Sequence, residues 1–276
     1  MESKAKVPIL GKTLSNVLNR YYFGPDHPSK MRLWEMVFRA LGYPRLTVPY
    51  FDRAWISIDH RDYPQLGIWV SGAYEAEVWD NLERFVEKSE VVWDVGAHIG
   101  GLSIRAGLDH RIAEVFAFEP HPKTHQVLRE NIFMNQIPVT AVNCAISDEE
   151  TTRNLYFGPI ANTGISSLHQ DPSLTGSTPV VCHTIDHLIY NQGTPPPTLM
   201  KIDVEGHEGQ VFKGGERFFR DSPPKAVVLE SRAFADGSFV DKSLVEHLNK
   251  LGYEVSHIVR PEGILHSNEN YLARLK

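Results

Sequence analysis

The stretch Val91-Val92-Trp93-Asp94-Val95-Gly96-Ala97-His98-Ile99-Gly100-Gly101 decides how the rest of this 276-residue chain is read. A short, mostly apolar run that stops at a glycine suits a strand buried on both faces. The glycines let the backbone turn sharply and bring bare chain close to a ligand. Leu102 to Leu108 then carry helical spacing. Strand, glycine turn and helix open a βαβ unit, and the pattern predicts further units downstream.

They follow. Val115-Phe116-Ala117-Phe118 reads as a second buried strand, and Pro120 and Pro122 punctuate the entry to a helix with Val127, Leu128 and Ile132 on one face. A third strand is predicted over Val139–Ile146. A fourth covers Thr198–Val204, after the loop Gly193-Thr194-Pro195-Pro196-Pro197. Val211, Gly215, Phe218 and Phe219 keep helical spacing, Ala226–Glu230 is a fifth strand, and Leu244, Leu248 and Leu251 mark a helix closed by Gly252. Short strands at Tyr253–Val259 and Tyr271–Leu272 end the chain. The alternation predicts an α/β fold, a mostly parallel sheet with helices on both faces and its ligand at the carboxyl ends of the strands.

Upstream, Val78, Leu82 and Phe85 mark a helix from about Tyr74. Ala54, Ile56 and Ile58, then Leu66, Ile68 and Val70, alternate on either side of the polar turn His60–Pro64, which predicts a β-hairpin. Leu33, Val37, Ala40 and Leu41 predict a helix ended by Gly42 and Pro44. The expected division is an N-terminal helical and hairpin extension, 1–70, and a main domain, 71–276.

Hydrophobic residues at 42% and charged residues at 22% describe a globular protein. Lys and Arg number 28 against 34 Asp and Glu, a net charge of −6, the wrong sign for a protein that lives by neutralising phosphates. Nucleic acid is not the expected ligand. No apolar run is long enough for a membrane span, and Val7–Leu10 is too short for a signal-peptide core, so the expected compartment is the cytoplasm. Cys144 and Cys182 have neither disulfide-framework nor metal spacing and are expected to be reduced and buried. The 13 histidines contain no His-Glu-x-x-His pair, so no metal site is predicted. The sequence carries no signal for an oligomeric state.

The strand ends carry the chemistry. A dinucleotide-binding turn has glycine where Asp94 stands, because a carboxylate there repels pyrophosphate. Asp94 suits a cationic ligand instead. S-adenosylmethionine carries an ammonium and a sulfonium and no phosphate, and is the predicted cofactor; an NAD(P)-dependent oxidoreductase is the alternative that Asp94 disfavours. Glu119 closes the second strand, where an acid roughly 20 residues past the glycine turn accepts ribose hydroxyls. Ala145, small and at the end of the third strand, leaves room for a flat adenine. Read without a ligand, the same residues are a tight turn and a solvated strand-end charge.

The fourth strand ends Lys201-Ile202-Asp203-Val204-Glu205-Gly206-His207-Glu208. A period of two puts Met200, Ile202 and Val204 on one side and Lys201, Asp203 and Glu205 on the other. Asp203 or Glu205 is a candidate to position an acceptor hydroxyl or take its proton, and His207 is the only histidine beside them. Alignment alone removes up to roughly 7–11 kcal/mol of a transfer barrier, and a base adds roughly 10²–10⁴-fold. The plain alternative is a Lys201–Asp203 ion pair with a solvated Glu205, as in a non-catalytic nucleotide-binding protein. Asp203, Glu205 and Glu230 would suit Mg²⁺ if the fourth and fifth strands brought them together, a minority reading that nothing else in the sequence supports.

Trp93–Gly100, Phe116-Ala117-Phe118-Glu119-Pro120 and Lys201–Gly206 together resemble the FkbM-family methyltransferases, from about Gly72 to Glu230. Leu128, Asn131 and Gly214 fall in matching places. The resemblance implies a class I, Rossmann-like methyltransferase fold, with a seven-stranded sheet whose last strand is antiparallel. It also implies O-methylation of a sugar, glycolipid or natural-product hydroxyl. By position it implies that Asp94, Gly96 and Gly100 cradle the methionine part and Glu119 the ribose, with Ala97, His98 and Pro120 beside them. His98 stands where the family often has Asn. Asp203 and Glu205 would belong to the reacting end, and Tyr74-Glu75 to a segment that closes over the cofactor. Residues 153–195 and 231–241 are expected to be acceptor-selecting loops, with Asn162–Ser167 offering amides and hydroxyls. The fourth strand lacks the Asn/Asp-Pro-Pro-aromatic sequence of base methylases.

Overall fold

The computed structural model describes residues 36, 45–51, 53–59, 61–72, 76–158, 164–170, 172, 174–232, 241–259 and 268–276. Strands β1 (Arg45–Tyr50) and β2 (Ala54–Asp59) form an antiparallel hairpin, followed by helices α1 (Tyr63–Ser71) and α2 (Ala76–Leu82). The first βαβ unit is β3 (Glu90–Val95), α3 (Gly101–Leu108) and β4 (Ile112–Phe118). Helix α4 (Pro122–Asn135) leads to β5 (Val139–Val142). A second sheet is inserted here, built from β6 (Ala145–Ile146), β7 (Thr151–Phe157), β8 (Ser166–Ser167) and β9 (Gly176–His183). Then come α5 (Ile185–Tyr190), β10 (Leu199–Ile202), α6 (Glu208–Lys213), α7 (Glu216–Asp221) and β11 (Ala226–Arg232). The last elements are α8 (Lys242–Lys250), β12 (Tyr253–His257) and β13 (Asn268–Leu275).

The main sheet has seven strands in the order β12-β13-β11-β10-β3-β4-β5. Strands β3, β4, β5, β10 and β11 pair in parallel, and β13 runs antiparallel to both its neighbours. Alternation along the strands divides the core. Trp93, Val95, Met200, Ile202, Val227 and Leu229 pack with Phe212, Phe218, Phe219, Leu244 and Leu248 on one face. Val92, Leu199, Ala226 and Val228 pack with Val78, Trp79, Leu82 and Ala106 on the other. Helices therefore cover both faces, and the chain reverses its order of strands between β3 and β10. That switch point is where an open α/β sheet leaves a crevice.

The hairpin is fastened to α4 by amide side chains. Asn131 Oδ1 accepts from Ser57 N at 2.7 Å, its Nδ2 donates to Ile99 O at 2.8 Å, and Asn135 bonds both backbone groups of Trp55. Two side chains thus do for the exposed edge of β2 what another strand would.

Four expectations are corrected. Leu66–Val70 is not the second arm of the hairpin but lies in α1, with Asp62 as N-cap and Pro64 in the first turn. Leu66, Gly67 and Ile68 are all buried, so a helix without a wet face showed no helical period. The hairpin is formed instead by β1 and β2. The third strand divides at Asn143-Cys144, β5 staying in the main sheet and β6 joining the second. Val211 to Phe219 is two short helices, because Gly214 and Gly215 sit where a Cβ on Gly214 would lie 1.9 Å from Ser147 O. Residues 153–195 are not a loop: they hold most of a four-stranded sheet and α5. The predicted helix at Leu33–Leu41 falls, apart from helical Met36, outside the described residues, as do Tyr74-Glu75, Asn162 and Thr163.

Among the described residues no helix is long and apolar enough to cross a membrane. Cys144 and Cys182 are free and buried, and burial pushes the Cys144 thiol up to about 12.

Candidate active site

A cleft of about 930 Å³ opens at the carboxyl ends of β3, β4 and β10. Its floor is the glycine turn. Gly96 has φ +79°, and a Cβ there would lie 1.8 Å from Asp203 O, so the first and fourth strand tips touch only because this residue has no side chain. Gly96 N and Ala97 N both donate to Phe118 O, which ties the turn to the end of β4. His98 follows in the left-handed region at φ 50°. Gly100, at φ +94°, is not on the cleft wall: a Cβ there would meet Leu128 at 2.7 Å, so this glycine serves helix packing, and Gly101 lines the cleft.

Asp94 is 1% exposed. Its Oδ2 accepts from Ser103 Oγ at 2.5 Å, while Oδ1 has no hydrogen-bond partner and lies 3.8 Å from Lys201 Nζ. Burial raises its pKa, against the pull of Lys201 and Ser103. A buried acceptor with nothing to accept is costly. The ammonium of S-adenosylmethionine is a donor of the right charge for it, so the residues present fit the cofactor.

Glu119 stands opposite. Its Oε2 accepts from His98 N at 2.9 Å and Oε1 from His121 N at 2.8 Å, which fixes the carboxylate and leaves each oxygen further lone pairs. Burial pushes its pKa up to about 7 despite those two bonds. Pro120 and, across the cleft, Ala145 with Cys144 complete this end. Burial lowers the pKa of His98.

Beside Asp94, Lys201 Nζ donates to Gly96 O at 3.0 Å and to Asp203 Oδ2 at 2.9 Å. Burial works against ionisation of Asp203, but Lys201 overrides it and holds the carboxyl below its ordinary value; Glu230 adds a hydrogen bond. Two carboxyl groups that hydrogen-bond share a proton. Glu205 is not in strand register with Asp203, because β10 stops at Ile202 and the chain turns through Glu205 at φ 50° and Gly206 at φ 91°. The turn still brings Asp203, Glu205 and Glu230 oxygens within 4.8 Å of one another.

His207 is 1% exposed and both ring nitrogens are engaged: Nε2 with Ser147 Oγ at 2.9 Å and Nδ1 with His169 Nε2 at 3.3 Å. Burial lowers its pKa to about 4, and His169 contributes, so it is neutral at pH 7. His169, exposed on the cleft wall, had no signal in the sequence, nor had Ser147. Ser103 had one: it sits in the first turn of the helix opened by Gly100, on the strand-facing side. The wall is completed by Gly164–Gln170, where Ser167 Oγ donates to Glu205 O at 3.1 Å.

A doubly covered parallel sheet, an antiparallel last strand and an acid at each of the first two strand tips define a class I methyltransferase. Residues 94–255 match the model of the methyltransferase FkbM domain, and the chain belongs to that family of S-adenosylmethionine-dependent enzymes. It is 30% identical over 230 residues to the hexuronic acid methyltransferase AglP of Haloferax volcanii, covering 82% of this chain and 86% of that protein. It is 40% identical over 158 residues to the 31-O-demethyl-FK506 methyltransferase FkbM of Streptomyces tacrolimicus, covering 46% of this chain and 60% of the relative. Among solved structures it is similar to a precorrin-6y C5,15-methyltransferase from Geobacter metallireducens, with 17% identity, 73% and 88% coverage and a TM-score of 0.44.

Proposed function

We propose that the chain methylates a hydroxyl of a polyhydroxylated acceptor, a sugar or natural product, at the mouth of the cleft between β10 and β8. The observation that carries this is the acid cluster Asp203, Glu205 and Glu230 set beside the buried Asp94 oxygen that accepts no hydrogen bond, with Lys201 between Asp94 and Asp203. Carboxylates accept hydrogen bonds from hydroxyls. The two curated relatives, one named for a hexuronic acid and one for an O-demethylated natural product, support the same acceptor class.

S-adenosylmethionine, when bound, supplies a methyl group on a positively charged sulfur. Asp94, Gly96, Ala97 and His98 would hold its methionine end, Glu119 and Pro120 its ribose, and Ala145 would face the adenine. Gly100 acts from behind, by setting the helix. Asp203, kept ionised by Lys201, orients the acceptor hydroxyl, and Glu205 and Glu230 hold neighbouring hydroxyls. The acceptor's proton leaves through His169. With Ser147 donating to Asp148, His207 donates from Nε2 and accepts at Nδ1 from His169 Nε2, which leaves His169 Nδ1 as the open acceptor. His207 is thus a positioning residue. No step requires Mg²⁺. Residues 71–276 would make up the transferase domain, with 1–70 as an N-terminal extension to it. Two free buried thiols support a reducing compartment, the cytoplasm.

Calorimetric titration with S-adenosylhomocysteine and with NAD tests the cofactor end, and only the first should bind. At the reacting end, Asp203→Asn should lower turnover on an accepted sugar at least tenfold while S-adenosylhomocysteine affinity stays within about twofold. Equal losses of both would remove Asp203 from the acceptor's side.

A further inference from the structure

We infer that Glu150, His183 and His187 form a binding site for a zinc-type transition-metal ion, separate from the cleft. One ligand atom from each lies within 4.8 Å of the other two, and none of the three residues lines the cleft. The His183 and His187 rings lie parallel, 8° apart with centroids at 5.7 Å, and a nitrogen of each converges with a Glu150 oxygen. Glu150 Oε2 is 2.6 Å from His183 Nδ1 and 3.7 Å from His187 Nε2.

The ligands are held before any ion arrives. The other oxygen of Glu150 accepts from Thr184 N at 2.5 Å, a bond that orients the carboxylate from behind as outer partners do in built sites. His183 ends β9, where its carbonyl accepts from Ser147 N, and His187 sits in the first turn of α5, whose N-cap is Thr184. Two imidazoles and one carboxylate suit Zn²⁺, Co²⁺ or Ni²⁺ and leave a fourth position for water; Mg²⁺ and Ca²⁺ prefer oxygen alone. Side-chain exposures of 25%, 34% and 38% give an ion a way in. The sequence hides the site because Glu150 is 33 residues from His183, and His183 lies outside the helix that carries His187. The ion replaces the proton between Glu150 and His183 and releases it to solvent. It clamps the turn that carries Ser147 to α5.

The full chain, stripped with a chelator, is titrated with Zn²⁺ against a chromophoric chelator and with Co²⁺ by absorption. We expect a saturable site of one ion per chain with a tetrahedral Co²⁺ spectrum, a raised Tm, and no displacement by excess Mg²⁺. His183→Gln and His187→Gln should each weaken it by about tenfold or more, and Glu150→Gln likewise, with apo melting curves like the parent's. No saturable binding overturns the site. So does binding that survives both histidine variants, or that Mg²⁺ displaces, which would put the ion at the carboxylates of the cleft. Should one variant fail to fold, the remaining two decide.

Discussion

Glu119 and His207 are buried with opposite consequences for pH. Glu119 has a folded pKa of about 7 against 4.5 unfolded, so the folded chain binds the extra proton and stability falls as pH rises between the two values. His207 has a folded value of about 4 against 6.5, so here the unfolded chain binds the proton and stability rises with pH over that window. Each effect is on the order of 3 kcal/mol. They oppose each other in the parent protein, and single variants should expose them. Glu119→Gln should show stability climbing from pH 4 to 6.5, and His207→Gln should show it declining between pH 4.5 and 7, by urea denaturation. Parallel curves for all three proteins would remove both groups from the balance. Glu119→Gln should also weaken S-adenosylhomocysteine by roughly 1–3 kcal/mol in calorimetry.

Elements respond through backbone contacts. Gly96→Ala places a methyl against Asp203 O in a left-handed residue, so the tips of β3 and β10 must part. We expect a loss of about 3 kcal/mol or more and no detectable cofactor binding. Asn131→Ala strips a buried N–H of Ser57 and a carbonyl of Ile99 of their partners, and thermal melting should report a loss of roughly 2–4 kcal/mol with the main sheet intact by circular dichroism. The sequence revealed elements in proportion to how plainly they bury. The strands β3, β4, β10 and β11 are apolar runs and were read within a few residues. Helix α1 was missed because its polar cue, Asp62-Tyr63-Pro64, serves a turn and a helix start equally well. The strands β7 and β9 escaped because they alternate weakly, with Arg153, Asn154 and Pro179 inside them.

For the molecule as a whole, the sequence pointed to the strand tips that line the cleft but not to what the inserted sheet brings to them. Asp94, Gly96 and Glu119 are strand-tip residues whose neighbours follow from one βαβ unit. Ser147 and His169 meet His207 only once two sheets are assembled, and no local spacing announces that. The two sheets lean on each other at Ser167 and Glu205. Ser167→Ala should therefore raise KM for the acceptor about threefold to tenfold and leave cofactor affinity unchanged. One wall of the cleft, with Leu155, Gly164–Gln170 and Leu174, comes from a single run of chain between Ile146 and His183, whereas the acid cluster it faces comes from the ends of β10 and β11. Such a span behaves as a cassette: exchanging it between relatives would retarget the enzyme to new alcohols while its methyl donor stays the same.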